Sequence, residues 1–373
     1  MTGFDRTATA LGRIREDVQS MHAYAIQDAR GLIKLDAMEN PFGLPEDLQQ
    51  ALGRRLGALA LNRYPGARID DLRAALARHV DLPAGQALML GNGSDELISL
   101  LAMACDRAVP TGQPTPAVLA PVPGFVMYAM SAQLQGLRFV GVPLTPDFEL
   151  DVSALRAAIE RERPAIVYLA YPNNPTANLW QVSAMRAVIE AQAAQGGLVV
   201  VDEAYQPFAS HSWLDEIRAD PARHGHVLLM RTLSKFGLAG VRLGYLMGRA
   251  PLVSEIDKLR PPYNVSVLNA ECALFALEHA DVFAAQADHL RAERVRLLAA
   301  LRQMPGVQAW DSQANMILAR VPDAARAFAG LRARGVLVKN ISTMHPLLAG
   351  CLRLTVGTPD ENTQLLAALP PSL

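Results

Sequence analysis

Seven short apolar runs constrain the fold of this chain more than any other feature: residues 87–90 (ALML), 117–120 (AVLA), 139–142 (FVGV), 165–170 (AIVYLA), 198–203 (LVVVDE), 227–232 (VLLMRT) and 244–248 (GYLMG). None alternates apolar with polar residues, so each reads as a strand buried on both faces. Helical segments, such as 153–161 and 182–195, separate several of them. This pattern predicts an α/β fold with a mostly parallel seven-stranded sheet in a large domain, covered by helices on both faces. Ligands of such sheets collect at the carboxyl ends of the strands.

Before these runs, residues 46–61 read as a helix, Tyr64-Pro65-Gly66 as a turn, and 70–80 as an amphipathic helix with Leu72, Leu76 and Val80 on one face. From about residue 266 the pattern changes. A long helical stretch at 269–304 leads into NMILARV, VLVKN and CLRLTVG, which read as strands of a smaller α+β domain. The expected division is an N-terminal arm at 1–44 that joins the small domain, a large domain at 45–265 and the small domain at 266–373. A length of 373 residues accommodates two domains.

With 35 basic and 36 acidic side chains, the chain has no electrostatic reason to bind nucleic acid or an anionic membrane. A small-molecule ligand is the expectation. Cys105, Cys272 and Cys351 lie far apart without metal-ligand spacing, so no metal site is expected and a reducing compartment is. The first residues, MTGFDRTATALGRIRED, carry no secretory signature, and runs such as AIVYLAYP are too short to span a bilayer. A cytoplasmic location follows.

Four strand ends carry groups that say little singly. GNGSDELISLL follows the first run with a glycine turn into a helix, YPNNPTAN follows the fourth, VVVDEAYQPF places Asp202 and Tyr205 past the fifth, and RTLSKFGLAG places Ser234 and Lys235 past the sixth. A solvated carboxylate, a surface lysine and an ordinary Asn-Pro turn would explain each alone. Together they meet in one crevice, and their chemical types are those that pyridoxal 5'-phosphate requires. The set provides a lysine to hold the aldehyde carbon and a carboxylate to keep the pyridine nitrogen protonated. Tyrosine and asparagine can bond the ring oxygen, and helix-start amides with hydroxyls and an arginine can hold the phosphate.

On these motifs the chain resembles the fold-type I pyridoxal-phosphate enzymes of the class I/II aminotransferase group, over nearly its whole length. The resemblance implies that Lys235 is the covalent anchor, with Asp202 at the ring nitrogen and Tyr205 and Asn174 at the ring oxygen. It also implies that Thr232, Ser234 and Arg242 bind phosphate together with Gly93, Ser94 and Asp95. Tyr128 of PGFVMY would stack on the ring, and Tyr64 of LNRYPG would cross a homodimer to the partner's phosphate. Ala177 stands where the group has glycine after Asn-Pro-Thr, Asp95 brings a carboxylate near a phosphate, and the Lys235 to Arg242 spacing is short. The Asn174–Pro175 peptide is expected to be cis.

Within that group, IKLDAMENPFGLP, NRYPG and GCLRLTVGTPDEN resemble histidinol-phosphate aminotransferases. That implies an amino transfer between L-histidinol phosphate and 2-oxoglutarate (glutamate in reverse), with Arg353 and Lys339 facing substrate anions and Tyr24 and Asn40 closing over the substrate. Lys235 would act as general base and acid, in ping-pong order. Aminotransfer from aromatic amino acids and a threonine-phosphate type of decarboxylation are the alternatives. A ligand-sensing domain of a transcription regulator fits the balanced charge poorly.

Overall fold

A computed structural model describes residues 6–21, 27–106 and 114–373. Its strands are β1 (Ile33–Lys34), β2 (Gln86–Gly91), β3 (Ala117–Val122), β4 (Arg138–Pro143), β5 (Ile166–Ala170), β6 (Leu198–Asp202), β7 (Val227–Thr232), β8 (Gly244–Arg249), β9 (Gln308–Ala309), β10 (Met316–Arg320), β11 (Val336–Leu337), β12 (Lys339–Asn340) and β13 (Cys351–Thr355). The seven apolar runs form one sheet in the order β2-β8-β7-β6-β5-β3-β4. Only β8 runs against its neighbours, pairing antiparallel with β2 and β7.

The absence of polar alternation has a direct cause. Val167, Leu169, Val199, Val201, Val227 and Leu229 point into one apolar core, while Ile166, Tyr168, Val200, Leu228 and Met230 point into another on the opposite face. Each fully buried branched side chain contributes roughly 1.5–3 kcal/mol, so both faces of these strands favour burial. Helices Val152–Glu162 and Val182–Ala194 stand where the pattern placed them. So does Arg68–His79, with Leu72 and Leu76 buried; the helix before it ends at Gly57, short of residue 61.

The expected helix at 269–304 is two helices, Val267–Glu278 and Ala280–Arg302, broken at His279 (φ −115°, ψ 35°). The two halves serve different cores. Ala270, Ala273 and Leu274 pack with the large sheet, whereas Ala287, Leu290, Leu297 and Leu301 pack with β10 and β13 in a third core. A straight helix cannot present its apolar face to both.

That third core carries a four-stranded sheet, β12-β13-β10-β9, antiparallel throughout. The VLVKN run is divided, with β11 pairing parallel to β1 and β12 pairing to β13. Leu35 and Met38 are buried in the same core. Residues 32–373 form one compact unit and residues 1–31 another. The latter contains helices Arg6–Leu11 and Glu16–Gln19, with the Gln19 amide donating to the Leu11 and Ile14 carbonyls. Among the described residues no helix is long and apolar enough to cross a membrane.

Candidate active site

Because β2, β5, β6 and β7 share one direction, their carboxyl ends lie at one edge of the sheet. The register aligns Gly91 and Thr232 with Gly244, and Ala170 with Asp202. A cavity of about 400 Å³ opens there, lined by Ser94, Asp95, Tyr128, Asn174, Asp202, Tyr205, Thr232, Ser234, Lys235 and Arg242. The structure therefore brings together most of the residues expected from sequence.

On one side of the cavity a helix start, two hydroxyls and a guanidinium come together, a set that could hold an anion. Gly93 (φ 78°) begins the helix Gly93–Cys105, and a Cβ there would lie 2.9 Å from Arg242 Nη2. The left-handed backbone favours glycine, and a side chain there would push against the tip of Arg242. The short Lys235 to Arg242 interval closes through two tight turns, Ser234–Leu238 and Ala239–Val241, and Gly237 sits at φ 140° within the first. Arg242 then reaches back, with Nη1 3.4 Å from Ser234 Oγ and Nη2 3.4 Å from Asp95 Oδ2. That ion pair neutralises the Asp95 carboxylate beside the cradle. The Thr232 hydroxyl lies 3.0 Å from Ser234 Oγ, and the Ser234 amide donates back to it at 3.1 Å.

At the end of β6, Asp202 is buried. Its Oδ2 accepts the Tyr128 hydroxyl at 2.6 Å and its Oδ1 the Ala204 amide at 3.0 Å. Burial pushes its pKa up to about 6, against the opposing effect of those two hydrogen bonds. The Tyr128 ring lies face to face with Tyr168 (4.3 Å, 8°), so one of its faces is taken while it lines the cavity beside Asp202. Phe125, edge-on to Tyr128 at 88°, also lines the cavity. Sequence reasoning passed over Phe125, although PGFVMY carries both aromatics.

Lys235 Nζ donates to the Ala37 carbonyl at 3.0 Å and stands 5.9 Å from the centre of the Tyr205 ring. Burial, helped by the Arg353 charge, lowers its ammonium to about 8. Burial likewise drives the Tyr205 phenol well above its usual range. The Asn174–Pro175 peptide is cis. Ala177 takes the left-handed conformation a glycine would (φ 64°), donates to the Asn173 carbonyl at 2.8 Å and is fully buried. The turn therefore survives the replacement.

Arg353, on β13, donates through Nη1 to Asn174 Oδ1 at 2.8 Å and through Nη2 to the Asp36 carbonyl at 2.9 Å. Lys339 is its direct partner across β12 and β13, so the two side chains share a face of that sheet. Asn40 does not line the cavity; its amide donates to Gln286 and its oxygen accepts from the Phe42 amide. Tyr64 is also outside the cavity, 76% exposed and stacked on Tyr263 at 4.3 Å. Tyr24 lies outside the described residues. The cavity also takes in Ala37, Met38 and Glu39, which the sequence reading quoted within IKLDAMENPFGLP without giving them a role. Among the described residues no cluster of His, Cys, Asp and Glu could hold a metal ion.

Residues 30–369 match the family model for aminotransferase class I and II. The histidinol-phosphate aminotransferase of Acidovorax sp. (strain JS42) is 70% identical over 365 residues, covering 98% of each chain. That of Paracidovorax citrulli (strain AAC00-1) is 70% identical over 370 residues, covering 99% of this chain and 100% of the relative. Among solved structures, the histidinol-phosphate aminotransferase from Sinorhizobium meliloti in complex with pyridoxal-5'-phosphate superimposes with a TM-score of 0.82 at 25% identity, covering 96% of this chain and 97% of that one. A site assembled from the family's own motif positions, on that fold and with such relatives, leaves one conclusion: the chain belongs to the class I and II aminotransferases.

Proposed function

We propose that this enzyme transfers an amino group between L-histidinol phosphate and 2-oxoglutarate, with pyridoxal 5'-phosphate held at Lys235, as a step of histidine biosynthesis. The observation that carries the reading is the arrangement of opposite charges around one cavity. A buried carboxylate, Asp202, lines the same cavity as Lys235 and the Arg242, Ser234 and Thr232 set, and Arg353, outside that lining, bonds Asn174, which belongs to it. The names of relatives at 70% identity supply the substrate.

The residues present fit the cofactor. Gly93 leaves room at the cradle that a Cβ would fill, and Asp202 is a buried carboxylate whose partners are two neutral donors, ready for a cation. When bound, pyridoxal phosphate supplies an electron-withdrawing ring that stabilises negative charge on the substrate α-carbon. Asp202 would keep the ring nitrogen protonated. Tyr205 and Asn174 would bond the ring oxygen, and Phe125, which also lines the cavity, would pack against the ring while Tyr128 stays bonded to Asp202.

Lys235 has its ammonium lowered to about 8, so loss of its proton is easier than for an exposed lysine. It would remove the substrate α-proton and deliver it to the former aldehyde carbon of the cofactor, on the far side of the transferred nitrogen. Arg353 exchanges its bonds to Asn174 and Asp36 for a bidentate contact with phosphate in one half-reaction and carboxylate in the other. Lys339 adds a second positive charge on the same face. Asn40 and Tyr24 remain assigned to closure over the substrate.

We assign residues 45–265 to the cofactor-binding domain, 266–373 to the small domain and 1–44 to an arm that joins it, in a cytoplasmic homodimer. The exposed Tyr64–Tyr263 stack supports the dimer, and three free cysteines support a reducing compartment. The test is a donor panel with 2-oxoglutarate, followed by the cofactor's absorbance. Preference for histidinol phosphate over histidinol, phenylalanine and aspartate is expected. Preference for phenylalanine would make the enzyme an aromatic aminotransferase, and carbon dioxide release from a phosphorylated amino acid would make it a decarboxylase.

A further inference from the structure

Three carboxylates line the cavity, and two are committed to it. Asp202 is bonded by Tyr128 and Ala204, and Asp95 pairs with Arg242. The third, Glu39, is held by no other lining residue; among the described residues its side-chain partner is Lys34. Both charges are felt at Lys235, Glu39 favouring its ammonium and Lys34 opposing it, which places the pair within electrostatic reach of the reacting centre.

The backbone around the pair is built for a fixed position. Lys34 lies on β1, and the amides of Ile33 and Leu35 donate to the Gly335 and Leu337 carbonyls at 2.8 Å. Met38, immediately before Glu39, sits in the left-handed region (φ 51°). For a residue with a Cβ that conformation is disfavoured. It persists because Thr355 Oγ1 accepts the Met38 amide at 3.0 Å and the Asn315 amide donates to the Met38 carbonyl at 3.0 Å. Strain held in place by buried side chains beside a cavity marks a position that matters for function. Here it turns the chain so that Glu39 lines the cavity.

A ping-pong aminotransferase must admit two ligands in turn, and on the reading above their outer ends are chemically opposite. The amino donor carries an imidazole, whose ring N–H donates; the 2-oxo acid carries a second carboxylate, which needs a cation. A single fixed charge would favour one and repel the other. We propose that the Lys34–Glu39 pair is the selector for these two ends: Glu39 accepts the imidazole N–H, and Lys34 meets the distal carboxylate. This inference rests on the proposed pair of substrates. It also predicts rejection of phenylalanine, whose ring offers Glu39 no donor and leaves a desolvated carboxylate unpaired.

The experiment is single-turnover kinetics of the two half-reactions on the holoenzyme, read from cofactor absorbance, with melting temperature as a fold control. Glu39→Gln should slow the histidinol phosphate half-reaction by about tenfold or more at subsaturating substrate, the scale of one hydrogen bond to a charged group. It should leave the 2-oxoglutarate half-reaction equal or faster. Lys34→Met should do the reverse, and Lys34→Arg should restore the 2-oxoglutarate half-reaction. Parallel losses in both half-reactions, or loss in neither, would overturn the selector while leaving the proposed function standing. A wild-type holoenzyme inert towards histidinol phosphate would overturn both.

Discussion

The Tyr128 hydroxyl donates a 2.6 Å hydrogen bond to Asp202 Oδ2, and both residues are buried. No cation among the described residues pairs with that carboxylate, and burial raises it from 3.8 to about 6. Between those two values the folded protein binds a proton that the unfolded chain has released, so Asp202 lowers stability increasingly as pH rises through this window and fully above about 6. The cofactor-free Asp202→Asn protein should therefore melt higher than the cofactor-free parent at pH 8, by the equivalent of roughly 3 kcal/mol. The gap should close as pH falls towards 4. Melting curves of both apo forms from pH 4 to 8 check this, and a gap independent of pH would refute it.

The same substitution should impair catalysis while it stabilises the empty fold. Losing the charge that faces the ring nitrogen should lower turnover by about 10²–10³-fold, the scale of a preorganised electrostatic contact. Tyr128→Phe should have a smaller effect in the same direction, because Asp202 keeps the Ala204 amide. Wild-type turnover in Asp202→Asn would assign the electron-sink role elsewhere.

Lys235 should be the sole site of covalent attachment. Borohydride reduction of the holoenzyme followed by peptide mapping should label it. Lys235→Ala should retain cofactor through the Arg242, Ser234 and Thr232 cradle and lose nearly all amino transfer. A label on another lysine would displace the whole assignment.

Tyr64→Phe should weaken cofactor retention without lowering the melting temperature, because its ring remains stacked on Tyr263 while the hydroxyl is lost. Sedimentation should show a dimer. A fully active monomer would exclude a role for Tyr64 across a subunit boundary.

Arg353→Ala should cripple both half-reactions, since on the proposed reading the guanidinium meets phosphate in one and carboxylate in the other. Removing one member of a desolvated charge pair costs about 2–5 kcal/mol, or roughly 30- to several-thousand-fold. Lys339→Ala should be milder and should harm histidinol phosphate more, because the phosphate carries the greater charge. Measuring kcat/KM for each substrate in both variants separates the two cations.

Much of the site could be read along the chain, because short-range chemistry leaves a local signature. A glycine before a helix, Asp-x-x-Tyr after an apolar run and Ser-Lys after another each sit at a strand end, and parallel topology brings strand ends together. The apolar runs themselves report double-sided burial, since a strand with cores on both faces has no place for polar alternation. For the same reason the positions of Asp202 and Lys235 were legible: each is tied to the end of its own strand.

Tertiary structure decided what depends on contacts between distant segments. Nothing near Tyr128 in sequence says that its hydroxyl meets Asp202, 74 positions away, or that its ring is taken by Tyr168. The helix break at His279 arises because one continuous apolar stretch must serve two cores, a demand that helical periodicity cannot express. Glu39 reaches the cavity only because Thr355 and Asn315, from the far end of the chain, hold Met38 in a conformation its own side chain disfavours. Local propensity specifies elements and their ends; which side chain meets which is settled by the packing of segments hundreds of residues apart.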